Sequence, residues 1–178
     1  GTVKNVVMPN LKFEIETDLI LNINGETHTG NVCCEIAGKS AHASTPEKGE
    51  NALLKLFSDL KDAPLEGDLK DLIDFINKEI NMETNGKTLG INCSDEESGE
   101  LTLNLGVVSY ENQTISVTVD IRYPVTKNAD LIEKVIIEKT SKCGIEASEL
   151  KKGKPLFVPS DSELISKLSS VYEAQTGN

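Results

Sequence analysis

Tryptophan is absent from this chain, aromatic residues make up only 4% of it, and just two of its 178 residues are histidine. The core must therefore be aliphatic. A two-metal hydrolytic centre draws several imidazoles and carboxylates onto one metal pair. His28 and His42 lie on different elements, and neither has an HxxxH or HxD partner. A complete catalytic zinc site is thus not expected within the chain. Positive charge is also scarce: 18 Lys and Arg stand against 29 Asp and Glu, giving a net charge of −11. Such a surface repels nucleic acid and anionic lipid, and no basic run offsets it. No apolar run is long enough to span a bilayer. Residues 1–10 lack the basic and apolar regions of a signal peptide. There is no initiator methionine, and with the end at Asn178 this predicts a piece of a longer polypeptide.

Cys33, Cys34, Cys93 and Cys143 show neither zinc-ribbon nor CxxC spacing. We read them as reduced, mostly buried thiols of a cytoplasmic protein, with Cys33 and Cys34 on opposite faces of a strand. No Gly-rich phosphate loop or GxSxG elbow is present.

Regular apolar patterning is plentiful. Leu11, Phe13, Ile15, Leu19, Leu21 and Ile23 alternate as in a strand, and Asn24-Gly25 predicts a hairpin. The return strand carries Val32, Cys34 and Ile36 and ends at Gly38. Ser44 with Glu47 fits a capping box, and Pro46 suits a first helical turn. The helix stripe that follows is Ala52, Leu53, Leu56, Phe57 and Leu60. A linker over 62–67 leads to a second stripe of Leu69, Leu72, Ile73, Ile76 and Ile80. Residues 88–93 read as a short strand and 94–99 as a charged turn. Glu96-Glu97 belongs to that solvated turn rather than to a catalytic base.

The clearest sheet signal is Leu101, Leu103, Leu105 and Val107, answered after a turn by Ile115, Val117, Val119 and Ile121. Ser116, Thr118, Asp120 and Arg122 fall on the opposite face. A helix over 128–142 is expected to turn Leu131, Ile132, Val135 and Ile136 inward. Residues 145–150 and 155–158 read as extended. Ser160 and Glu163 then suggest a capping box opening a last helix with Leu164, Ile165, Leu168, Val171 and Tyr172. The expected class is α+β, an antiparallel sheet with helices packed on one face. A β-β-α unit near each end raises two pseudo-repeated subdomains within 1–178.

Three residues stand out chemically. His42 sits among small residues in a loop ahead of a helix. His28 lies on a return strand and reads as structural or exposed. Arg122 projects from the non-core face of a rigid strand, where its fork can take a carboxylate or pair with Asp120.

The segment Gly38-Lys39-Ser40-Ala41-His42-Ala43-Ser44-Thr45-Pro46, with Gly49 and Asn51-Ala52 behind it, resembles the aminoacylase/carboxypeptidase superfamily of two-zinc peptidases. Within that superfamily the chain is most similar to the lid of bacterial Xaa-His (carnosinase-type) dipeptidases. Pro64-Leu65-Glu66-Gly67-Asp68, the run 101–106 and Asp120-Ile121-Arg122-Tyr123-Pro124 follow in the same order. The likeness covers roughly residues 30–178. It implies a lid, or dimerisation-like, domain inserted into a catalytic domain that lies outside this chain and carries both zinc ions and all their ligands. No metal residue is assigned here. It implies hydrolysis of a dipeptide, with a catalytic-domain Glu as base. A lid histidine, matched by His42, holds the oxyanion, and a lid arginine, matched by Arg122, contacts the substrate carboxylate. A family asparagine in Asn-Met-Val-Pro contacts substrate. Asn5-Val6-Val7-Met8-Pro9 matches that segment with one residue more. The expected partners are the dipeptide and the catalytic domain of the same polypeptide, with no nucleic acid and no membrane. The competing expectation is a dimerisation or interaction module of a related amidohydrolase or an inactive homologue.

Overall fold

The computed structural model describes residues 5–112, 114–148, 151–153, 158–159 and 161–177. Two strands, β1 (Asn10–Ile23) and β2 (Glu26–Ala37), form an antiparallel hairpin. Asn24 and Gly25 turn it with φ of +54° and +79°, the paired positive values of a type I′ turn. Leu21, Ile23, Val32, Cys34 and Ile36 are buried on one face, as their alternation requires. The pairing shifts between Thr17 and Leu21, and Ile20, on the face opposite Leu19 and Leu21, is 62% exposed.

Helix α1 (Ala52–Asp59) packs on both strands and buries Ala52, Leu53, Leu56 and Phe57. The capping box at Ser44 and Glu47 does not form. Pro46–Lys48 is a single 3₁₀ turn without a side-chain cap, and Asn51 caps α1 through Leu53 N and Leu54 N. An extended Gly49 separates turn from helix, so the local signal was one element early. Helix α2 (Asp68–Phe75) continues into a π-helical turn, Ile76–Ile80, which packs against α1.

Residues 88–93 are not a strand. A turn closes from Gly90 N to Lys87 O, and Gly86 and Gly90 take φ of +66° and +78°. Leu89 and Ile91 are still buried, so the segment fills the core without a ladder. Short strands β3 (Ser94–Asp95) and β4 (Gly99–Glu100) pair at the charged turn. The second long hairpin joins β5 (Thr102–Glu111) and β6 (Thr114–Arg122). Its register shifts between Leu105 and Val107, so Val108 rather than Val107 packs on the core beside Val117.

Helix α3 (Ala129–Lys142) is capped by Asn128, whose side chain accepts from Asp130 N. Ile132, Val135 and Ile136 face the core, but Leu131 is 65% exposed. Helix α4 (Glu163–Thr176) is capped by Ser162. The expected cap residue Ser160 lies outside the described residues, as does most of the extended segment at 155–158. Leu164, Leu168, Val171 and Tyr172 of α4 are all exposed, so this stripe has no cover in the described structure.

The class is α+β, as expected. Among the described residues the antiparallel strands are distributed over three two-stranded sheets rather than one. The cysteines are free, with Cys34 buried, Cys33 exposed and Cys93 and Cys143 half-buried. Only one of the four is therefore a core thiol. Among the described residues no helix is long and apolar enough to cross a membrane.

Candidate functional site

The loop that bears His42 is closed at its base by reciprocal bonds between Lys39 and Glu50 at 2.8 and 2.9 Å. Gly38 lies at this closure. A Cβ there would stand 2.3 Å from Glu50 O and 2.9 Å from Met8 O, so only glycine fits. Alongside runs the chain entering β1. Gly38 N donates to Pro9 O at 2.7 Å, Val7 N to Ala41 O at 2.8 Å and Ala43 N to Asn5 O at 3.0 Å. Val6 and His42 face each other in an antiparallel bridge. Asn5 and His42, 37 positions apart in sequence, thus sit on adjacent strand-like segments joined by an isolated bridge.

The His42 ring is exposed. Its Nδ1 lies 2.7 Å from Ser44 Oγ and accepts from Ser44 N at 3.3 Å. A nitrogen that accepts a backbone N–H carries no proton in the neutral ring. The proton then resides on Nε2, which makes Nε2 a hydrogen-bond donor. Ala43, the next residue, is fully buried and anchors the loop.

Arg122, the chain's one arginine, ends β6. Its Nε stands 3.5 Å from Asp120 Oδ1, with side chains 40% and 15% exposed respectively. The arginine thus makes the Asp120 contact that one of the two sequence readings gave it. Across the ladder Thr102 faces Arg122, and Asn104 faces Asp120. This polar face of β5–β6 meets the two site strands. Thr102 Oγ1 donates to Ala43 O at 3.0 Å, and Asn104 Nδ2 donates to Val6 O at 3.1 Å.

Behind the seam is a buried amide pair. Asn51 Nδ2 donates to Leu105 O at 2.7 Å and to Asn104 Oδ1 at 3.3 Å, while its Oδ1 caps α1. Asn51 and Asn104 are 7% and 3% exposed. Neither these two residues nor Thr102 is marked by sequence spacing. Asn104 falls on the face that alternation assigns to solvent, and Asn51 was obscured by the better-looking Ser44 cap. The segment after Arg122 is held by Asp95. Its carboxylate accepts from Ser98 N and Oγ at 2.6 and 2.8 Å and from Thr126 N and Oγ1 at 3.1 and 2.9 Å. Partial burial works upward on its pKa, but these bonds together hold it well below the usual carboxylate range.

His28 lies on β2, with its ring nitrogens 3.7 and 3.8 Å from Cys34 Sγ. Among the described residues no group of three or more His, Cys, Asp or Glu side chains is placed to hold a metal ion. The donor set among the described residues does not fit a zinc pair.

Comparison with known proteins bears on this arrangement. The chain is similar to proteins named as dipeptidases. Over 149 residues it is 37% identical to the Bacillus subtilis protein named "Putative dipeptidase YtjP", which covers 83% of this chain and 32% of that protein. Over 143 residues it is 29% identical to "Beta-Ala-Xaa dipeptidase" of Lactobacillus delbrueckii subsp. lactis, covering 80% of this chain and 30% of that protein. The chain thus spans about a third of the length of the curated relatives it matches. No protein-family model matches it.

Proposed function

We propose that the chain is the substrate-closing lid of a zinc-dependent dipeptidase. One observation carries the reading: a single seam joins the Asn5 and His42 strands to the face of β5–β6 that bears Arg122. The dipeptidase names of the relatives support it from outside the geometry.

In this reading His42 Nε2–H donates to the oxygen that gains charge as the peptide carbonyl becomes tetrahedral. A preorganised donor at such an oxygen is worth roughly 10²–10³-fold in rate. Arg122 takes the carboxylate of the dipeptide. Asp120 meets the guanidinium at Nε and orients it, while the planar fork has further N–H groups for a second carboxylate. Asn5, beside His42, contributes a polar contact to the bound peptide. Zinc would polarise the scissile carbonyl and activate water. Its ligands would lie in a catalytic domain outside this chain. The exposed stripe of α4 suits packing against that domain.

The test uses the full-length polypeptide, assayed on a dipeptide panel with zinc, manganese or chelator, next to His42→Ala. Metal-dependent cleavage that drops about 10²-fold or more in His42→Ala agrees with the lid reading. Cleavage untouched by His42→Ala removes His42 from the site. A tight dimer without cleavage on any substrate replaces the lid by a dimerisation module.

A further inference from the structure

In the antiparallel pair formed by residues 5–9 and 38–43, Val7 N, Asn5 O, Ala41 O and Ala43 N point inward to each other. The Val6 carbonyl points outward, because the N–H and C=O of one residue share a side and its neighbours Asn5 and Val7 face inward; Ala43 lies where the chain turns away, and its carbonyl is directed at β5. An ordinary third strand would meet such carbonyls with its own N–H groups. Here β5 meets them with two side chains, Asn104 for Val6 O and Thr102 for Ala43 O. The seam therefore depends on residue identity and not on the generic ladder.

We propose that Thr102 and Asn104 are positioning residues, which hold the Asn5 and His42 strands in register with Arg122. The inference rests on the lid reading. Three features support it. Both residues occupy the face of β5–β6 that carries Asp120 and Arg122, as their cross-strand partners. Each bond lands within one residue of a candidate substrate contact: Val6 follows Asn5, and Ala43 follows His42. Asn104 is also buried at 3% exposure in an aliphatic core, where an amide costs stability unless its bonds are made. Its Oδ1 accepts from Asn51 Nδ2, which ties the seam to the start of α1. The seam is thus braced from behind by a helix terminus, and β5 brings it beside the arginine.

The experiment measures kcat, KM and the unfolding temperature of the full-length polypeptide on a dipeptide it cleaves. The variants are Thr102→Val, Thr102→Ser and Asn104→Asp, with His42→Ala as reference. Thr102→Val keeps shape and loses the hydroxyl at a half-buried position. Asn104→Asp keeps the acceptor for Asn51 and loses the donor to Val6. The expected result is a fall in kcat of about 10- to 100-fold for Thr102→Val with KM little changed, since small misplacement of catalytic groups has effects of that size. Thr102→Ser recovers most of it, and Asn104→Asp falls in the same direction. If Asn104→Asp fails to fold, the Thr102 pair alone decides. A Thr102→Val enzyme with wild-type kcat, while His42→Ala is crippled, overturns the positioning roles and leaves the lid reading standing. Absence of cleavage by the wild type overturns both.

Discussion

Arg122 stands directly across the β5–β6 ladder from Thr102, and the Thr102 hydroxyl donates to the Ala43 carbonyl one residue past His42. Arg122 and the His42 loop are thereby tied to one hairpin. The tie has few members, so single substitutions at it have separable consequences.

Replacing Arg122 by lysine keeps the charge and removes the planar fork. We expect KM for a dipeptide to rise about 10-fold or more, with a smaller change in kcat, because the lost bonds are charge-assisted. A dipeptide amide, which lacks the carboxylate, should respond far less to the substitution. Equal losses on both substrates would remove Arg122 from carboxylate binding.

Asn51→Ala removes the α1 cap and the amide N–H bonds to Leu105 O and Asn104 Oδ1. A lost cap costs about 1 kcal/mol. The two lost buried hydrogen bonds add about 1–3 kcal/mol. Urea unfolding should show a loss of about 2–4 kcal/mol on these principles. A loss below about 0.5 kcal/mol would mean that the buried amide pair is not holding the seam.

Gly38→Ala tests the loop closure. Its Cβ would meet Glu50 O, Met8 O and Ala52 N at 2.3, 2.9 and 3.0 Å, all backbone atoms. The strands must separate, with a penalty of about 1–3 kcal/mol or more as in other overpacked sites. Gly25→Ala, where no atom lies within 4 Å, should be limited by its φ of +79° alone. Melting curves of the two variants compare steric with conformational cost.

The Asp95 carboxylate gives stability a definite acid dependence. Its folded pKa is depressed by the bonds from Ser98 and Thr126, so its contribution is complete above the unfolded value of about 3.9 and fades as pH falls below it. Glu79, held low by Lys139 against its own partial burial, acts in the same direction. Urea midpoints should therefore fall as pH drops below about 4, where unfolded carboxylates take up protons. Asp95→Asn should be less stable at pH 7 and lose less on acidification. An Asp95→Asn curve parallel to wild type would show that another group carries the effect.

Local rules made much of the fold legible. The Asn24-Gly25 turn, the alternation of β1, β2, β5 and β6, and the stripes of α1 and α2 depend on neighbours within a few residues. The sequence erred where two local signals competed or a distant partner decided. Ser44 looked like a cap, but its hydroxyl is engaged by His42 and the cap fell to Asn51. Val107 looked like core, but the shifted register gave that place to Val108. Residues 88–93 had strand-like spacing but no strand to pair with.

By itself the sequence determined which residues could do chemistry, because one arginine and two histidines leave few choices and small neighbours leave His42 open to a partner. Only the tertiary structure decided their company. Asn5 reaches His42 through an antiparallel bridge, and Arg122 reaches both through Thr102 and Asn104, whose side chains reach backbone carbonyls 59 and 98 positions away. Contacts of that separation leave no periodic trace, since a side chain that bonds a distant carbonyl looks in sequence like any polar residue on the open face of a strand.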